Sequence, residues 1–224
     1  MVTNLSYFFE TAKKLRGGKW VWVKDSNGET RGNVLLGGTI MNPKKGYDHL
    51  YAAQLVQYTP GQGCLIFRSF AVKTASGASA TTLYFNADGY GDAPEAGMVI
   101  MKAPASATGT GQSAVITNVE YDATNERFEV TIAAALGALS VGDIIVEATG
   151  TTASASAKAL VPKPNTFIEA DRDLLPTEGY GVADTANYSI STVYNKQAWI
   201  ERMQPLPSYV LANNRSLIDG IYWI

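Results

Sequence analysis

The sequence predicts a mainly β protein, in which an antiparallel base domain carries an inserted small duplicated β-barrel-like module and a short N-terminal helix. Three observations predict this class. Several runs alternate apolar and polar residues with a period of two and are rich in β-branched side chains. Turn-forming residues separate these runs, and one eight-residue pattern occurs twice. Such features are typical of short antiparallel strands that enclose a small core.

The first segment, residues 3–16, predicts a short amphipathic helix, because its apolar side chains recur at helical spacing and Gly17 and Gly18 follow it. It also carries aromatic and basic side chains that suit a docking arm, namely Phe8, Phe9, Lys13, Lys14 and Arg16. Two interpretations stand. The segment either anchors the protein on a partner or covers the core of its own domain.

The next part of the chain predicts antiparallel strands of the base domain. Residues 19–24 alternate, an Asn-Gly turn lies within 25–28, and residues 32–36 are expected to return as the partner strand. Residues 51–58 predict another strand, and residues 64–72 are expected to run back beside it after a Pro-Gly turn.

The duplicated module is predicted from a hairpin and a repeat. Residues 115–119 and 128–132 alternate around the Asx-rich turn 122–126, as in a β-hairpin. Residues 96–103 match residues 141–148 as small or branched residue, Gly, any, branched, Ile, apolar, charged, Ala. The glycines of the two copies lie 45 positions apart (142 − 97). Two similar strand openings arising by chance are the alternative to duplication.

Three stretches of small polar residues, 74–81, 104–111 and 149–157, suit loops or linkers. The first and third bracket the repeat. We therefore predict an inserted module at residues 74–150 and a base domain made of residues 1–73 and 158–224.

The last part of the chain returns to the base domain. Residues 160–168 predict an extended segment, residues 188–194 a strand, and residues 196–203 a helix that ends before Pro205. The C-terminus is apolar to its end and includes Tyr222 and Trp223. Such an end either pairs in a sheet of this chain or inserts into a neighbouring protein.

Charge is scarce and unevenly spread. Charged residues make up 17% of the chain and the net charge is −2, which favours a component of an assembly. Residues 1–45 carry eight Lys or Arg and three Asp or Glu, a balance of +5, so the remainder carries −7 (−2 − 5). A basic N-terminal part suits an acidic protein surface or, less well, nucleic acid; an ordinary solvated face is the simpler alternative.

Few residues suit catalysis. Cys64 is the only cysteine, which excludes a disulfide within the chain, and its apolar neighbours predict a buried thiol. His49 is the only histidine and no nucleophile elbow accompanies it. The acidic set Glu169, Asp171 and Asp173 lacks the glycine that an EF-hand loop needs at its sixth position. We expect no enzyme, no catalytic residue, no cofactor and no metal site.

Two further aspartates, Asp88 and Asp92, stand between glycines and are interpreted as turn residues. Neither a signal peptide nor a membrane-spanning run is expected from the sequence.

Taken together, several segments resemble head-fibre or capsid-decoration proteins of tailed phages and prophages of gut Bacteroides-type bacteria. The segments are residues 51–58, 61–63, 65–70, 97–104, 141–148 and 164–167. The resemblance implies a virion structural protein, made in the host cytoplasm, that binds the major capsid protein and neighbouring virion proteins in many copies. The long repetitive shaft of a complete fibre is missing from the sequence, which favours a decoration role.

The alternative function is a carbohydrate- or cell-surface-binding module of a fibre or tail adhesin. Exposed aromatic side chains would carry it, with Tyr90, Tyr180 and Trp199 as candidates.

Overall fold

The computed structural model describes residues 34–44, 48–51, 54–87, 92–168, 172–174, 189–194, 196–198, 203–213 and 221–223. These residues are mainly β and their sheets are antiparallel apart from one two-stranded pair, which confirms the mainly β, antiparallel character that the sequence predicts. Within the described ranges, no helix has the length and apolar character of a membrane span. The chain divides into two compact units, each described by itself.

The elements follow one another in the order of the chain. They are β1 (Val34–Thr39), β2 (Asp48–Leu50), β3 (Leu55–Thr59), β4 (Gly63–Ile66), β5 (Ser69–Thr74), β6 (Thr82–Asn86), β7 (Val99–Lys102), β8 (Thr110–Gly111), β9 (Ser113–Asp122), β10 (Arg127–Ile132), β11 (Ile144–Glu147), β12 (Ala157–Lys158), β13 (Thr166–Ile168), β14 (Arg172–Leu174), β15 (Ser189–Tyr194), β16 (Lys196–Ala198), α1 (Ser208–Asn213) and β17 (Ile221–Trp223).

Unit 1 comprises Met1–Phe67, Lys163–Met203 and Leu211–Ile224. Its described part contains a five-stranded sheet in the order β1-β15-β13-β3-β4. Two smaller sheets, β14-β2 and β16-β17, belong to the same unit. Branched apolar side chains and one thiol form its core, with Ile40, Leu50, Val56, Cys64, Ile66 and Ile168 all buried.

Two asparagine side chains act as strand neighbours in unit 1. The Asn42 side chain accepts a hydrogen bond from Ile66 N at 2.7 Å and donates one to Ile66 O at 2.9 Å. The Asn165 side chain makes the same pair of bonds with Tyr58 N and O, at 2.8 and 3.0 Å. An amide side chain carries the same donor and acceptor as a peptide group, so it can satisfy backbone groups where a ladder ends.

Unit 2 comprises Arg68–Pro162 and Gln204–Val210, and its centre is a ring of six strands. Each strand is hydrogen-bonded to the next in the order β10-β6-β5-β11-β7-β9, and β9 pairs with β10 to close the ring. Alternate side chains of β6 and β10 point inward, and Leu83, Phe85, Phe128 and Val130 are all buried. Closure matters physically because a closed ring leaves no strand edge unpaired.

The predicted repeat adopts matching backbone geometry in its two copies. Gly97 and Gly142 have φ values of +94° and +85°, a backbone region that residues other than glycine rarely adopt. Each glycine donates its N–H to a neighbouring strand, Gly97 to Ile116 O at 2.7 Å and Gly142 to Val72 O at 2.9 Å. The strands that follow the two glycines, β7 and β11, pair with each other.

The predicted hairpin is confirmed, with β9 and β10 on either side of the turn. Asp122 accepts hydrogen bonds from the N–H groups of Thr124 and Asn125, both at 3.1 Å, as an Asx turn requires. Hydrogen bonds from the side chain and then the backbone of Asn125, together with Arg127, hold the pKa of Asp122 below its usual 3.8.

Two local expectations are wrong. Residues 64–72 form two strands, β4 and β5, because the chain leaves the partners of unit 1 after Phe67 and meets β11 and β6 in unit 2. Residues 196–198 form β16 and not a helix, because β17 supplies a strand partner. The helix of this region, α1, begins only after Pro207.

Other expectations hold or lie outside the described residues. β7, β11 and β15 lie where strands are predicted. The N-terminal helix and the strand at residues 19–24 fall on residues that are not described. Unit 2 extends beyond the predicted module at both ends, with residues 68–162 against 74–150, and it includes Gln204–Val210, which the prediction assigned to the base domain. The insertion of one domain into another stays a prediction.

The turn before β11 generates a test with a matched control. A Cβ at Gly142 meets nothing within 4 Å, so Gly142→Ala is expected to cost only backbone strain, about 1–2 kcal/mol of unfolding free energy. Gly77 also has open space around it but no positive φ, so Gly77→Ala is expected to cost nothing. Urea denaturation measures both, and equal losses would contradict the strain argument.

Candidate functional site

Among the described residues of unit 2, the largest fully buried side chain is that of Arg68, which is 1% exposed. Its Nε donates to Asp92 Oδ2 at 2.8 Å, and its Nη1 donates to Glu147 Oε2 at 3.1 Å. The two carboxylate side chains are 4% and 15% exposed. We call these three residues the Arg68 cluster.

The fold explains the position of each member. Ser69 pairs with Val146 across β5 and β11, which places Arg68 opposite Glu147 as the next pair, with Glu147 N donating to Arg68 O at 3.3 Å. Asp92 approaches from the segment before β7. The interpretation of Asp92 as a turn residue is therefore incomplete, because its carboxylate is a buried ion-pair partner.

One feature of the sequence indicates such a cluster, namely a charged residue within an apolar run. Arg68 stands in an otherwise apolar run, and a charge that is buried with such a run needs an opposite charge close by. The sequence could not show which carboxylates supply it, because Asp92 and Glu147 lie 24 and 79 positions away.

The chemistry of the cluster favours a structural role over a catalytic one. A guanidinium stays protonated at all physiological pH values, and here it directs two of its donors at carboxylates. Breaking such a buried pair is costly because the remaining charge is then uncompensated. We assign the cluster a role in holding the ring together.

A second ion pair lies on the same ring but at its surface. Lys102 Nζ donates to Asp143 Oδ2 at 2.6 Å, with the lysine side chain 48% exposed. This hydrogen bond, helped by one from Ser140 N, holds the pKa of Asp143 below its usual 3.8. Solvent screens such a pair, so its contribution to stability is small.

Of the candidates for nucleophile or metal chemistry, the structure describes the side chain of Cys64 but not those of His49, Glu169, Asp171 and Asp173. Cys64 is buried in unit 1, and burial raises the pKa of its thiol to about 11. His49 lies on β2, opposite Asp173 of β14 in the backbone register. Among the described residues, no group of three or more His, Cys, Asp or Glu could hold a metal ion.

The residues predicted to bind a partner are placed only in part. Phe8, Phe9, Lys13, Lys14 and Arg16 lie outside the described residues. The two C-terminal candidates, Tyr222 and Trp223, belong to β17, which pairs in parallel with β16 opposite Gln197 and Ala198. The C-terminal segment thus pairs within a sheet of this chain, the first of the two alternatives. The aromatic candidates for glycan binding, Tyr90, Tyr180 and Trp199, are likewise not described.

The outer face of β6, β10 and β9 is polar and half-exposed. Tyr84, Glu129 and Glu120 lie side by side across the three strands. The Arg127 guanidinium lies 4.0 Å above the centre of the Tyr84 ring and also bonds Asp122 at 2.9 Å. The stacking face of this tyrosine is therefore covered by the chain's own arginine.

No protein-family model matches the sequence, and a search of curated proteins finds no relative.

The Arg68 cluster predicts a large stability effect. Arg68→Ala is expected to lower the free energy of unfolding by about 3–5 kcal/mol, because it removes the guanidinium that pairs with the buried carboxylate of Asp92. Lys102→Ala breaks the surface pair with Asp143 and is expected to cost at most about 1 kcal/mol. Chemical denaturation of both variants gives the comparison, and a similar small loss in each would argue against a structural cluster.

Cys64 provides a test of burial by reactivity. With a pKa of about 11 and no exposed surface, the thiol is expected to react with an aromatic disulfide reagent at pH 8 only when the protein unfolds. The absorbance of the released thiolate, followed in buffer and in denaturant, measures this. Rapid labelling in buffer would contradict the described core of unit 1.

Proposed function

We propose that the protein is a virion structural protein that binds the outer surface of a phage capsid, as a decoration or cement protein or as the base of a head fibre. In this proposal the base domain and a short N-terminal helix dock on the capsid. The duplicated, barrel-like module faces outward. Copies are made in the host cytoplasm and join the shell beside the major capsid protein.

The observation that carries the proposal is the resemblance of six segments to head-fibre and capsid-decoration proteins. In the structure, several of these segments contribute to the sheets and their turns. Residues 65–70 contain Arg68, and residues 97–104 and 141–148 contain the two glycine turns and strands β7 and β11. Residues 164–167 contain Asn165, which bonds the backbone of β3. The resemblance therefore falls on positions that the fold constrains.

The composition supports a role within an assembly. A chain with 17% charged residues presents less charge to solvent than most soluble proteins, which suits coverage by neighbours. Apolar residues such as Phe8 and Phe9 would contribute roughly 25 cal/mol per Å² of buried surface before the costs of association. Many copies on one shell make individually weak contacts sufficient through avidity.

The basic N-terminal part adds an electrostatic expectation. Its balance of +5 over residues 1–45 favours an acidic area of the capsid and predicts that binding weakens as salt rises. Lys13, Lys14 and Arg16 are the residues proposed to make these contacts.

The test is co-sedimentation of the purified protein with capsids that lack it. The full chain is expected to bind saturably, and Lys13→Glu/Lys14→Glu is expected to weaken binding at least tenfold at low salt. Lys158→Glu/Lys163→Glu is the matched control, because it makes the same charge change at two exposed lysines of the described part. The control is expected to bind as the full chain does.

Three outcomes decide between interpretations. Binding that the N-terminal variant loses supports the docking arm. Binding that survives in that variant but is lost in Tyr222→Ala/Trp223→Ala keeps the function and moves the contact to the C-terminal strand. Absence of binding to any capsid form contradicts the proposal, and binding to a panel of cell-surface glycans would then support the adhesin alternative.

A further inference from the structure

The ring consists of two halves that correspond strand by strand. The first half, residues 68–103, contains β5, β6 and β7, and the second half, residues 112–148, contains β9, β10 and β11. A shift of 44 or 45 positions relates the hydrogen bonds of β5, β7, β9 and β11 in the two halves. The β5–β6 and β9–β10 registers differ, since Val72 pairs with Phe85 whereas the equivalent Ile116 pairs with Ile132. Ala103 N donates to Ile144 O and Ala148 N donates to Val99 O, both at 2.8 Å, so the two bonds are exchanged by a twofold operation.

The third strand of each half is exchanged into the other half. β7 follows β6 in the chain, yet both of its neighbours, β11 and β9, belong to the second half. β11 likewise lies between β5 and β7 of the first half. The register agrees as well, since Val146 pairs with Ser69 as Met101 pairs with Ser113. The surface between the halves is therefore isologous, as in a twofold dimer.

The charges at this surface break the twofold symmetry. At one seam, where β5 meets β11, the residues next to the Ser69–Val146 pair are Arg68 and Glu147. At the other seam, where β9 meets β7, the residues next to the Ser113–Met101 pair are Gln112 and Lys102. Arg68 and Glu147 form the buried ion pair described above. Lys102 points to Asp143 instead, and the counterpart of Asp143 in the first half is the uncharged Met98.

We infer that the ring is a fused twofold dimer with exchanged third strands, and that the Arg68–Glu147 ion pair makes the first half pair with the second half and not with another first half. Two first halves would set Lys102 against Arg68, where burial leaves the repulsion unscreened. Two second halves would leave Glu147 facing Gln112, without its arginine. Asp92 belongs to the same half as Arg68, so only the pairing of unlike halves adds the second carboxylate, Glu147, to the buried guanidinium.

The partner of the first half is the second half of the same chain. The connection between them, residues 104–111, contains a tight turn in which Gly109 N donates to Ser106 O at 3.0 Å. A Cβ at Gly109 would lie 2.7 Å from the Cβ of Pro104, so the turn is packed closely against itself. A compact connection favours closure within one chain over exchange with a second copy.

The test makes the two halves alike at this surface without touching the buried cluster. Lys102→Glu/Gln112→Arg copies the Arg68–Glu147 pair onto the second seam, and both replaced side chains are exposed. With these replacements, the first half of one chain can also pair with the first half of a second chain, because opposite charges then face each other at both seams. After unfolding and refolding at high concentration, the variant is expected to yield a several-fold larger fraction of dimer than the unchanged chain, measured by light scattering on a sizing column. Lys158→Glu is the control and is expected to match the unchanged chain.

A second variant tests the cluster itself. Glu147→Lys places the charge of the first half opposite Arg68 and is expected to lower the melting temperature by about 10 °C. An unchanged melting temperature, or a refolded dimer fraction for Lys102→Glu/Gln112→Arg equal to that of the unchanged chain, would overturn the inference. The purified protein suffices for both measurements, so their failure is independent of capsid binding.

Discussion

Unit 2 depends on how it accommodates one buried positive charge. Arg68 lies where β5 begins, with its side chain almost fully removed from water. A guanidinium cannot shed its proton to escape burial, so the fold must bring carboxylates to it. Asp92 and Glu147 do so from the segment before β7 and from the end of β11. The cluster thus joins three parts of the ring that are distant in sequence.

Ring closure imposes the second constraint. Five of the six ring strands have only four to six residues and β9 has ten. An open sheet made of such strands would leave backbone groups unpaired at its edges. Exchange of β7 and β11 between the halves gives each of these short strands two neighbours. The positive φ of Gly97 and Gly142 lets the chain enter both strands through the same kind of turn.

Unit 1 meets the same backbone requirement by a different means. Its sheet ends at β4, and the Asn42 side chain bonds both backbone groups of Ile66 on that strand. Asn165 bonds Tyr58 in the same manner on β3. Side-chain amides here replace peptide groups one for one, which keeps short strands hydrogen-bonded without lengthening the sheet.

The sequence by itself determined the elements that are specified by residues close together in the chain. Alternation and an Asx turn located the β9–β10 hairpin, and the repeated glycine pattern located β7 and β11 with their turns. Burial of Cys64 followed from its apolar neighbours. These features depend on residues within a few positions of one another, so their physics can be read along the chain.

Only the tertiary structure decided the features that depend on partners far along the chain. The break between β4 and β5 reflects a change of strand partners after Phe67, and β16 is a strand because β17 lies beside it. The Arg68 cluster and the exchanged strands are of the same kind. Pairing of charges and of strand edges is decided by distance in space, and a single sequence records which groups need partners but not which groups will reach them.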